Sequence, residues 1–176
     1  MRQMLGLSGR GIMGTKAVVI RSVVLALLTG QSAFAASCGW NAGMEEDEGG
    51  SVLTASVCGG QKGDAQLLLT CFAKPVLSYD LGDAGPELEP GISASFEFKA
   101  GGKTVKKTLQ LEAMYNYFTV ELRQADPLLD LLRSKGEVTV SADKYGANSF
   151  PLAGSGTAIG KVLAQCGKAK PADDGD

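Results

Sequence analysis

"ISASFEFKAGGKTVKKTLQL", residues 92–111, alternates apolar and polar side chains on both sides of a glycine pair. Ile92, Ala94, Phe96 and Phe98 fall on one face of an extended chain, and Ser93, Ser95 and Glu97 fall on the other. A period of two with one apolar face is the pattern of a half-buried β-strand. Ala100-Gly101-Gly102-Lys103 reads as a tight turn, because consecutive glycines accept the positive φ angles that short hairpin loops need. On the return, Val105, Leu109 and Leu111 point inward, and Lys107 is the one residue out of phase. "YFTVEL" at 117–122 repeats the alternation with Phe118, Val120 and Leu122. The three segments predict an antiparallel meander, dry on one side and wet on the other.

Upstream, "SVLTASV" (51–57) and "AQLLLTCF" (65–72) are short apolar runs joined by "GGQKGD", a further hairpin. Centring the loop sets Cys58 opposite Ala65. Residues 75–91 hold three prolines among glycines and acids, and read as a surface loop able to face a ligand, carrying Tyr79. Downstream, Asp126 is placed to cap a helix beginning at Pro127, with Leu128, Leu129, Leu131 and Leu132 as its apolar stripe and Gly136 as its stop. "EVTVSA" and "NSFPL" predict two more strands about a turn at residues 143–146. Ala158, Ile159, Val162, Leu163 and Cys166 are spaced for one face of a closing helix. The fold class expected is α+β, a mainly antiparallel sheet of short strands with two packed helices.

The closing helix starts in "GSGTAIGK" (154–161), whose glycines raise the question of a phosphate loop. A P-loop requires glycine where Ser155 stands and Ser or Thr where Val162 stands, and the dinucleotide fingerprint requires glycine in place of Ile159. The stretch therefore reads as a cap, with Ser155 or Thr157 satisfying free amides and Gly160 permitting close approach to the sheet. No cofactor is expected. The four cysteines lack the close pair of a zinc site, so no metal is expected either. The chain has no histidine, which removes the usual base for a serine or cysteine nucleophile. Glu97, Glu112 and Glu121 are the carboxylates available to a small hydrolase, the alternative to a binding role.

Residues 1–35 carry Arg2, Arg10, Lys16 and Arg21 without an acid, then the apolar "VVLALLTG", then Ala33 and Ala35 at small-residue cleavage positions. This predicts an export signal, a single disulfide-stabilised domain over 36–172 and an acidic tail at 173–176. Four of the 17 basic residues leave with the signal, so 13 remain against 19 acids, a net charge of −6. Such a surface disfavours nucleic acid, while the "EEDE" run at 45–48 reads most simply as a solvated loop, with a cationic partner as the alternative. Cys38, Cys58, Cys71 and Cys166 all lie beyond the signal, and an even count in an exported chain predicts two disulfides. Spacing does not fix their connectivity; the pairing preferred is Cys71 with Cys166 and Cys38 with Cys58.

"YNYF" at 115–118 sends Phe118 inward and leaves Tyr115 and Tyr117 on the opposite face. Tyrosine offers broad apolar contact with a polar tip, so Tyr115, Tyr117 and Tyr79 are the binding candidates. Trp40 is expected to pack on the core beside the Cys38 cross-link. Finally, "FPLAGSGTAIGKVLAQC" at 150–166 resembles the closing strand, glycine and helix of small exported proteins of the invasion-associated locus B type, through Phe150, Leu152, Gly154, Ala158 and Leu163. The resemblance implies a periplasmic or envelope protein affecting host interaction or cell-wall integrity, and brings no catalytic residue. The function expected is a non-catalytic, inhibitor-like or binding role toward an envelope protein or glycan.

Overall fold

The structure, a computed structural model, describes residues 38–47, 50–61, 63–82, 91–112 and 117–167. The export signal, the acidic tail, residues 83–90 of the 75–91 segment and Tyr115 lie outside the described residues.

Among the described residues the chain forms nine strands and two helices: β1 (Asn41–Asp47), β2 (Gly50–Gly59), β3 (Ala65–Cys71), β4 (Pro75–Asp80), β5 (Ser93–Ala100), β6 (Lys103–Glu112), β7 (Tyr117–Glu121), α1 (Pro127–Leu132), β8 (Glu137–Ala142), β9 (Gly146–Pro151) and α2 (Ser155–Leu163). The strands make one antiparallel sheet in the order β1-β2-β3-β4-β7-β6-β5-β8-β9. This corrects the α+β expectation to a largely β fold. The helices are only six and nine residues long, and two segments read as loops are strands. Pro75–Asp80 buries Pro75, Leu77 and Tyr79 in strict alternation between β3 and β7, with the proline at the first strand position where it is tolerated. Glu45, Glu46 and Asp47 of the acidic run belong to β1, an edge strand of the sheet, paired with β2 from Asn41↔Ser56 to Asp47↔Gly50.

The sheet curls until its far edge strand, β9, meets the end of β2. Gly60 N–H donates to the Ser149 carbonyl at 3.2 Å, joining the end of β2 to β9. At Gly59 a Cβ would lie 2.4 Å from both the Phe150 ring and the Ser149 carbonyl, so the closure requires glycine there. The core fills the inside of the curl. Phe96, Phe98, Phe118 and Phe150 are fully buried, and Tyr79 meets Phe96 and Phe150 edge-to-face at 5.5 and 5.9 Å. Helix α1 packs on β5 and β6, and α2 packs on β1, β2 and β3.

The hairpin turn at Gly101-Gly102 forms as expected, both residues having positive φ (53° and 74°). The β2–β3 register differs from the centred one: Cys58 faces Gln66, and Gly59 faces Ala65. Directly opposed residues share a face, and only this register sets Val57 against Leu67 on the dry side. Lys107, the residue out of phase, lies on the inward face and ends 2.6 Å from Asp126, which is 2% exposed. Asp126 caps α1 as expected by accepting from Leu128 N–H at 3.0 Å. The cap of α2 is corrected. Gly154, in the left-handed conformation, makes the turn with no side-chain cap. Ser155 instead donates to the Leu152 carbonyl, and Gly160 has open space where a Cβ would project.

Both disulfides form with the preferred pairing, Cys38–Cys58 and Cys71–Cys166. The second spans 95 residues and fastens the end of α2 to β3. Trp40 is buried in the core cluster that also holds Cys71.

Candidate binding groove

Pairing of β2 with β3 runs only from Ala55 to Gly59, whereas pairing of β2 with β1 reaches back to Gly50. The first residues of β2 therefore form, with β1, a hairpin arm that extends past the main sheet. Along this arm Ala55 and Val57 face the core, so alternation sends Val52 and Thr54 to the outer face. An outer face should be wet. Yet Val52 is 8% exposed and Thr54 1% exposed.

The groove on this side explains the burial. It has a volume of about 300 Å³ and takes Glu45 and Glu46 from β1, Val52 and Thr54 from β2, and Tyr117 and Glu112 from β7 and β6. Between them lies a row from the middle of the sheet: Leu68 and Thr70 on β3, Ser78 on β4 and Thr119 on β7. From β1 to β6 there are five strand steps, which in a flat sheet would cover about 24 Å at about 4.8 Å each. A cavity this small cannot be lined by both β1 and β6 of a flat sheet, so the arm leans over the outer face and the groove lies beneath it.

The chemistry of the groove is acidic and rich in hydroxyls. Its described lining includes three glutamates and neither lysine nor arginine. Glu46 accepts from Ser51 Oγ, and among the described residues none of the three glutamates makes an ion pair. Glu112 stands directly opposite Tyr117 across β6 and β7. The Tyr117 phenol is pushed above its ordinary pKa, first by burial and then by the charges of Asp80 and Glu45. Thr54 Oγ1 is buried in the groove wall with no hydrogen-bond partner, although a buried hydroxyl normally has one.

Of the tyrosines proposed from sequence, the structure brings one to this site. Tyr117 lines it, half-buried. Tyr79 is withdrawn as a contact residue: it is 1% exposed, its hydroxyl accepts from Asn148 Nδ2 at 2.8 Å, and burial, the leading cause, pushes its pKa up to about 12. Tyr115 lies outside the described residues. The three carboxylates weighed for hydrolysis are dispersed. Glu97 is held by Lys106 and Lys99, each at 2.6 Å, and these bonds, that to Lys106 foremost, lower its pKa to about 2. Glu121 pairs with Lys74 at 2.9 Å, and only Glu112 reaches the groove. Among the described residues no group of three or more His, Cys, Asp or Glu could hold a metal ion.

Sequence reasoning missed Thr54 and the hydroxyl row. The signal was present in the alternation of "PVLSYD", whose outward Ser78 stands opposite Leu68 on one side and Thr119 on the other. It was obscured by reading the segment as a loop. No protein-family profile, curated protein or solved structure matches this chain.

Proposed function

We propose that the chain is an exported, envelope-associated binding protein that works without catalysis and holds its ligand in the groove beneath the β1–β2 arm. The observation that carries this reading is the groove itself: a concave site on the outer face of the sheet, with a half-buried tyrosine, apolar floor residues and convergent polar groups, as small-ligand sites have. Export is supported by the charge, apolar core and small-residue box of residues 1–35 and by two disulfides, which persist in oxidising compartments. Among the described residues no helix is long and apolar enough to cross a membrane. The likeness of residues 150–166 to the invasion-associated locus B type supports a role at the envelope, in host interaction or wall integrity.

The test is a matched pair of variants on opposite faces of β7. Tyr117→Ala should weaken capture of the ligand from envelope extract by about 1 to 3 kcal/mol while leaving thermal unfolding nearly unchanged. Phe118→Ala, which removes a fully buried ring, should destabilise the fold by about 3 to 5 kcal/mol. Undiminished capture by Tyr117→Ala would remove the groove from the function. Hydrolytic turnover of an envelope glycan by the purified protein would replace binding with catalysis.

A further inference from the structure

We propose that the groove takes a small alkylammonium ligand, whose ammonium head is held by Glu112, Glu45 and Thr54 Oγ1 and whose methylene stem lies on Val52 and Leu68. The inference rests on the binding reading above and specifies its ligand class.

Charge is the first argument. Glu45 and Glu46 come from β1 and Glu112 from β6, five strands away in the sheet order, and the three meet at one cavity. None has a cationic partner among the described residues, and no cation is present in the described lining. The three glutamates are exposed, and carboxylates gathered at one cavity repel one another and favour a cation between them. The Tyr117 phenol is raised first by burial and then by the charges of Asp80 and Glu45, so the nearby carboxylates add to a negative potential there.

Thr54 supplies the second, independent argument. Its side chain faces the groove, is 1% exposed, and has an Oγ1 without a partner. A hydroxyl oxygen so placed lacks the bond that would offset its desolvation. An ammonium has three N–H donors and no acceptor, so it can satisfy Thr54 Oγ1 and two carboxylates together. An anion would be repelled by the same carboxylates. A neutral polyol could bond to Thr54 but would leave the carboxylate charges uncompensated. The volume of about 300 Å³ is at the small end of ligand sites, and Val52 and Leu68 give a short hydrocarbon stem an apolar surface.

The experiment is calorimetric titration of the disulfide-intact protein with the linear diamine putrescine, with butanediol as the neutral control of equal length. Saturable binding of the diamine, weakened by added salt and absent for the diol, is the expected result. Glu112→Gln and Glu45→Gln should each weaken it about tenfold, the usual effect of losing a charge-assisted bond. Thr54→Val should weaken it about threefold or more while leaving the melting temperature equal or higher, because an unsatisfied buried hydroxyl is replaced by a methyl group. No binding at millimolar diamine, equal binding of the diol, or indifference to both glutamine variants would overturn the proposal. Capture of an envelope ligand that depends on Tyr117 but is not displaced by putrescine would overturn the amine inference alone. Loss of that dependence would overturn the binding reading with it.

Discussion

A single lysine on the dry face of β6 shows how one side chain can join two elements. Lys107 breaks the alternation of its strand because its ammonium ends on Asp126, the cap of α1. Burial by itself would raise the Asp126 pKa. The bonds from Lys107 and from Leu128 N–H outweigh it, so the carboxyl titrates below its ordinary value. A depressed carboxylate contributes stability that is fully present above its unfolded pKa of about 3.9 and is lost as pH falls through the lower native value. Lys107→Met keeps most of the stem packing but strands a buried charge, and should destabilise the fold at neutral pH by about 2 to 4 kcal/mol. Urea unfolding across a pH series provides the check. The gap between variant and parent should narrow as pH falls and vanish below the depressed native Asp126 value, where the carboxyl is protonated in both. Adding Asp126→Asn, which preserves a capping side chain, should recover most of the loss at neutral pH. A gap independent of pH would mean that Lys107 acts through packing alone.

Among the elements, glycine has two different uses that a substitution pair separates. Gly59 at the end of β2 faces the Phe150 ring and the Ser149 carbonyl at distances no Cβ can occupy. Gly59→Ala should therefore open the β2–β9 closure and destabilise by about 1 to 3 kcal/mol. Gly160 sits inside α2 with open space around its missing side chain. Gly160→Ala should stabilise by about 0.5 to 1 kcal/mol, since alanine loses less backbone entropy in a helix. Thermal melts of both variants decide the point, and destabilisation by Gly160→Ala would restore the close approach expected from sequence. The contrast marks where the sequence was legible. Alternation in "ISASFEFK" and the Asp126-Pro127 start signal report local geometry, and the structure has both. β1 and β4 were hidden because acids and a proline are poor strand formers in isolation, and their pairing is imposed by neighbours. The groove was hidden for the same reason. Glu45 and Glu112 are 67 positions apart in the chain and meet only because an arm leans over the sheet, whereas the outward placement of Tyr117 followed from strand period alone.

At the scale of the molecule, a sheet that supplies its own core leaves its ends to be fastened by other means. The closing helix α2 buries Ala158, Ile159 and Val162 against β1, β2 and β3, but at nine residues it is too short to hold its shape without docking. Cys71–Cys166 fixes its C-terminal end to β3, and Gly167 N–H adds a bond to the Phe72 carbonyl at 2.8 Å beside it. Cys38–Cys58 closes a separation of only 20 residues near the base of the arm, against 95 for the other cross-link. Cross-links restrict the unfolded chain more when they close longer loops, so the two bonds should differ in weight. The paired substitution Cys71→Ala with Cys166→Ala should lower stability by about 2 to 5 kcal/mol, and Cys38→Ala with Cys58→Ala should lower it by less. Denaturant unfolding of the two double variants measures the difference. Hydrogen exchange should show the first variant losing protection throughout α2 before the strands of the curl, because local opening begins where fewest buried contacts hold an element. Equal losses in the two variants would mean that native contacts around each bond, and not loop length, set its contribution.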